Sequence, residues 1–194
     1  MSDLGGVWRT VGGRRIFIKD GEDLATAMKN SGKFGNKEIE KKQEEPEGFE
    51  NSKIRDKDGN LMKVYHGTAT DFKEFDEKFI RQRKDGTKGF YFATEQRKDS
   101  VAGYYAGEKG VIKEAYLNVE KPLYIQTNDN ETLTSLIKSG EIKNYDGIIR
   151  TSSGDLPESK YYNYRTKTLE TEKVKKGDIV EIIVFKKEQI KILK

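Results

Sequence analysis

The chain has 194 residues, room for one domain of catalytic size with an appendage, and its 34% hydrophobic and 36% charged residues lie to the polar side of an average soluble domain. With no cysteine and one histidine it can build no disulfide framework, thiolate zinc site, cysteine nucleophile or multi-histidine metal centre. The net charge of +4 is spread over interspersed signs, and no apolar run approaches the ~20 residues of a membrane span, so neither nucleic acid nor membrane stands out as principal partner and a cytoplasmic protein is expected.

Residues 7–19, VWRTVGGRRIFIK, alternate apolar and polar side chains around Gly12-Gly13, which predicts a β-hairpin. Residues 20–31 carry acidic residues first and then Leu24, Ala27 and Met28 at helical spacing before Gly32, which predicts a short helix. This N-terminal module is expected to end near residue 35. Residues 36–52 are charged, nearly devoid of large apolar side chains and interrupted by Pro46 and Gly48, and read as a linker.

From residue 53 onward the pattern changes. The runs LMKVYHG, KGFYFAT, VIKEAYLNVEKPLYI, YDGIIR, DIVEIIVF and QIKIL predict short strands, with helices near 97–106 and 131–139. This is an α+β pattern dominated by strands. Residues 151–178 are polar and tyrosine-bearing and longer than an ordinary connection, either a functional loop or a disordered insertion.

Three places could carry chemistry. His66 ends a strand-like run and is followed by Gly67 and Thr68, a position where backbone can approach a ligand closely. Tyr91 and Ala93 belong to an aromatic strand, 89–93, whose plain reading is inward packing. Glu181 interrupts an apolar run; it either points to solvent or faces a cleft, because an ionised carboxylate buried without partners costs several kcal/mol.

In this order the motifs Tyr65-His66-Gly67-Thr68, Gly89-Phe90-Tyr91-Phe92-Ala93, Ala102-Gly103-Tyr104 and the Glu181 to Ile190 segment resemble ADP-ribosyltransferases of the His-Tyr-Glu clade. That clade takes in diphtheria-toxin-like toxins, poly(ADP-ribose) polymerases and the domains of phage polyvalent proteins. The segments 72–79 (FKEFDEKF), 115–123 (AYLNVEKPL) and 145–149 (YDGII) are similar to the phage branch. The resemblance spans residues 53–194 and implies a split β-sandwich with few helices. It also implies NAD as substrate without a metal, and an acceptor taken to be a host protein, with nucleic acid an open alternative.

By the same resemblance Glu181 stabilises an oxocarbenium-like transition state, and Gly67 pairs its backbone with the nicotinamide carboxamide. Tyr91 and Tyr104 sandwich the nicotinamide ring, His66 donates a hydrogen bond to the adenosine ribose, and Thr68 and Ala93 complete the NAD-binding set. Arg81 stands where relatives often carry glycine. Residues 7–28 are similar to a short module of phage minor head proteins, which implies origin and no chemistry.

Two other readings compete. Glu170-Thr171-Glu172 has the spacing of the Arg-Ser-Glu clade, which modifies arginine, but lies in sequence without strand character, so chance is the better account. A catalytically silent phage module on the same fold is the second. Retention of His66, Tyr91 and Glu181 together argues against it.

Overall fold

The computed structural model describes residues 5–11, 14–31, 45–155 and 158–193. It divides into two units, residues 1–44 and 45–194.

In the first unit β1 (Gly6–Val11) and β2 (Arg14–Lys19) form an antiparallel hairpin in which Trp8 lies opposite Phe17, their ring centroids 5.3 Å apart. The expected Gly12-Gly13 turn lies outside the described residues. Helix α1 (Leu24–Ser31) starts later than the acidic residues suggest. Gly21 turns the chain at φ +84°, and Asp23 accepts from the Thr26 backbone N–H at 3.0 Å in the manner of an N-cap. Ile16, Ile18 and Ala27 form the small core of this unit.

The second unit holds β3 (Val64–Thr68), β4 (Arg81–Gln82), β5 (Lys88–Phe92), α2 (Gly103–Ala106), β6 (Val111–Leu117) and β7 (Pro122–Gln126), followed by α3 (Asn130–Ser139), β8 (Gly147–Thr151), β9 (Ser159–Asn163), β10 (Thr168–Glu172), β11 (Ile179–Val184) and β12 (Ile190–Ile192). Five strands run β4-β5-β11-β8-β7 in one sheet and three run β12-β6-β3 in another. Strands β7 and β8 pair in parallel, the other neighbours antiparallel. This is the α+β split β-sandwich that the sequence predicts.

The main core lies between the two sheets. Val64, Ala115 and Leu117 of the smaller sheet meet Phe90, Phe92, Ile149, Ile182 and Val184 of the larger, with Phe75 and Ile54 closing the edges. On the opposite face of the larger sheet, Ile125, Ile148 and Ile183 pack against Leu133 of α3. Strand β11 thus buries large apolar side chains on both faces, which accounts for its apolar run on either side of Glu181. Asp129 caps α3 at its start and Gly140, at φ +78°, ends it.

Two expectations are corrected. The body begins before residue 53: Phe49 is 7% exposed, and the buried Ser52 hydroxyl donates to the Leu117 carbonyl at 2.6 Å, so residues 45–52 are packed structure rather than linker. The stretch 151–178 is not a bare loop, because β9 and β10 pair as an antiparallel hairpin.

Candidate active site

Strands β3 and β5, from different sheets, touch at one bridge, where Tyr65 and Ala93 exchange backbone hydrogen bonds of 2.9 and 2.8 Å. Since Tyr65 spends its N–H and C=O on Ala93, its pairing with Glu114 of β6 is of the non-hydrogen-bonded kind. Two residues along, Gly67 points its own N–H and C=O the same way, away from β6 and into the space where the sheets part. That space is a cavity of about 680 Å³ lined by His66, Gly67, Thr68, Tyr91, Ala93 and Glu181, among others. Its size suits a drug-sized or cofactor-sized ligand.

Glycine at 67 has a packing reason besides ligand access. A Cβ there would run into the backbone carbonyl of Ala102, so the helical segment after β5 can lie directly on β3 only without a side chain. Thr68 holds the chain beyond Gly67, its hydroxyl donating to the Thr70 carbonyl at 3.1 Å.

His66 sits among the rings of Phe72, Phe75 and Phe92, with centroids 6.2, 5.0 and 5.5 Å away. Its Nδ1 lies 2.8 Å from the Tyr91 carbonyl oxygen. A carbonyl only accepts, so Nδ1 carries the proton. Burial pushes the imidazole below its ordinary value of 6.5, the Tyr91 carbonyl opposes this and the Arg81 charge adds to it. Neutral His66 therefore presents Nε2 as an acceptor, the reverse of the donor role that the resemblance implies.

Tyr91 lies opposite Ile183 in the β5–β11 pair, and Glu181, two residues before Ile183, shares its face of the sheet. The Glu181 side chain is 15% exposed and is held by Arg83, whose Nη1 and Nη2 donate to its two carboxylate oxygens at 2.8 and 2.5 Å. The Arg83 guanidinium also lies over the Tyr91 ring, 4.2 Å from the centroid. Tyr91 donates its hydroxyl to the Thr87 carbonyl at 3.0 Å, and burial pushes its pKa up to about 12 despite the neighbouring Arg83 charge. So Glu181 neither points to solvent nor stands alone: it faces the cleft with a partner.

Tyr104 is the expected site residue that the fold does not bring to the cavity. Its neighbour Tyr105 lines the wall instead, and Tyr104 is 64% exposed. Between β5 and α2 the chain makes a π turn, Lys98–Ala102, which spends an extra residue compared with an α turn. The face that Tyr104 would take in a regular helix accordingly falls to Tyr105. Glu170 and Glu172 of the competing reading do not line the cavity either. Glu170 accepts hydrogen bonds from Tyr161 and Asn163 within the β9–β10 hairpin, and Glu172 pairs with Arg97 at 3.1 Å.

Arg83 and Tyr105 are the residues that sequence reasoning misses. Among the described residues no three acidic or histidine side chains gather as a metal site, and no helix is long and apolar enough to cross a membrane.

A histidine, a tyrosine and a glutamate from three strands thus meet on one cleft of a two-sheet domain. Residues 56–194 match the family model described as ADP-ribosyltransferase in polyvalent proteins, and the chain belongs to that family. A search of curated proteins finds no match.

Proposed function

We propose that the domain transfers ADP-ribose from NAD to a macromolecular acceptor, a host protein, with release of nicotinamide, using the His-Tyr-Glu arrangement in a host cytosol. The observation that carries this reading is the convergence of His66, Tyr91 and Glu181, from two sheets, on one cavity of about 680 Å³. Family membership supports ADP-ribosyl transfer in general.

In this reading the bond between the nicotinamide nitrogen and the ribose C1 atom breaks, and its electron pair leaves with nicotinamide. Positive charge then builds on C1 and the ring oxygen. Glu181 accepts from a ribose hydroxyl and stabilises that charge, as carboxylates do in other reactions at an anomeric carbon. A nucleophile of the acceptor closes the new bond to C1 and gives up its proton to Glu181 or to water.

The other residues bind and orient. The free N–H and C=O of Gly67 match the C=O and N–H₂ of a carboxamide. Tyr91 and Tyr105 offer ring faces for stacking, so Tyr105 takes the place first assigned to Tyr104. A ribose hydroxyl donates to Nε2 of His66, and Thr68 and Ala93 shape the wall.

The test is incubation of the protein with NAD labelled on its adenosine half and a bacterial lysate. Label retained on protein after denaturation, with matching free nicotinamide, is the expected result. Absence of both would overturn the reading, and label on nucleic acid would move the acceptor.

A further inference from the structure

The reaction outlined above gives Arg83 no part, yet its side chain lines the cavity between Glu181 and Tyr91. It pairs with Glu181 through both nitrogens at 2.8 and 2.5 Å and covers the Tyr91 ring at 4.2 Å. The turn that carries it is anchored apart from this contact. The Arg83 N–H donates to the Thr87 carbonyl at 2.9 Å, the same carbonyl accepts from the Tyr91 hydroxyl, and Gly86 adopts φ +88°. Asp85 accepts from the Thr87 N–H at 2.9 Å and lies 3.7 Å from Arg150, which is 7% exposed. The backbone is thereby fixed, while the Arg83 side chain, 35% exposed, has open solvent beside it.

A tyrosine face and a carboxylate edge that together hold a flat guanidinium are matched to a flat cation. The oxidised nicotinamide ring of NAD is a flat cation, whereas the reduced ring carries no charge. Two flat groups cannot share the same face of Tyr91, so a ring that stacks there must displace Arg83.

We infer that Tyr91 and Glu181 form a planar-cation subsite which the chain fills with its own Arg83, and that Arg83 is a specificity-determining residue: an incoming ring displaces it effectively only when the ring is itself a cation. Which ring this is in the cell rests on the NAD reading above. The subsite does not. A neutral ring gains the stacking but leaves Glu181 without its counter-charge once Arg83 has gone, and a largely buried carboxylate stripped of its partner is costly. The occupied subsite lowers the apparent affinity of any entrant by the fraction of time Arg83 spends in place.

The test uses the whole chain, wild type and Arg83→Met, titrated by NMR with 1-methylnicotinamide, a cationic ring, and with nicotinamide, its neutral counterpart. Arg83→Met is expected to bind the cation about tenfold more tightly than wild type does, as for a competitor that fills the site nine-tenths of the time. It should also prefer the cation to the neutral ring. Equal affinity of wild type and Arg83→Met for the cation, or no preference between the rings in the variant, overturns the inference. A melting curve establishes that the variant is folded, and Arg83→Gln replaces it if it is not. NAD titrated in parallel into wild type and Tyr91→Ala tests the function separately: a wild type that binds no NAD, or a Tyr91→Ala protein that binds it as tightly as wild type, while the cation result holds, condemns the function alone, and NAD binding weakened by Tyr91→Ala without the cation result condemns the subsite alone.

Discussion

The imidazole of His66, on the smaller sheet, hydrogen-bonds the carbonyl of Tyr91, on the larger, at 2.8 Å, so the two sheets are tied together at the cleft wall by a residue of the site itself. The tie needs Nδ1–H and is made by a neutral ring. Because burial lowers the pKa of His66 in the folded chain below its ordinary 6.5, the unfolded chain binds the proton first as pH falls. The stability contributed by neutral His66 is therefore complete above about pH 6.5 and is lost as pH falls from there through the folded value. Melting temperatures at pH 7.5 and 5.5 should fall further apart for wild type than for His66→Gln. An equal drop would show that His66 is not held neutral by the fold.

A chain starting at residue 53 should be less stable than one starting at residue 45. It lacks Phe49, buried with Leu61 and Tyr116, and the Ser52 hydroxyl that bonds the Leu117 carbonyl at 2.6 Å. Losing one buried aromatic and one buried hydrogen-bonding group amounts to about 3 kcal/mol. Denaturant unfolding of the two chains measures the difference, and coincident curves would return residues 45–52 to the status of a linker.

Replacing Tyr105 with Ala should weaken NAD binding by about 1–3 kcal/mol, the scale of stacking on an aromatic side chain. Tyr104→Ala, outside the wall of the cavity, should stay within about 0.5 kcal/mol of wild type. Calorimetric titration distinguishes them. The reverse ranking would mean that α2 presents Tyr104 to the ligand and that the π turn does not shift the face.

Part of the site is legible because its residues break the pattern of their strands, whereas Tyr91 is singled out by the family resemblance alone. His66-Gly67 ends an apolar run and Glu181 puts a carboxylate inside another, while Tyr91 lies within an aromatic strand. What stays hidden depends on distance in sequence or on backbone irregularity. Arg83 lies in a polar turn 98 residues from Glu181, and nothing local marks their pairing. Tyr105 takes its place through a π turn that spacing alone does not reveal. Strands β9 and β10 escape because TLETE has no apolar face; side-chain hydrogen bonds such as Tyr161 to Glu170, at 2.9 Å, tie them together instead. Most of the core strands are recognised because β-branched and aromatic residues dominate them, and the helix expected near 131–139 forms as α3, with Asp129 and Gly140 as the caps that its periodicity alone does not mark.

The central claim is that Glu181 stabilises the charge that develops on the ribose, and Glu181→Gln tests it most directly. Glutamine keeps the shape and part of the hydrogen bonding to Arg83 but removes the negative charge, so the melting curve should stay close to wild type and NAD should still bind. Nicotinamide release and transfer of label to protein should fall by about 100-fold or more, the scale of losing one preorganised electrostatic contact. A folded Glu181→Gln protein that releases nicotinamide as fast as wild type would contradict the account.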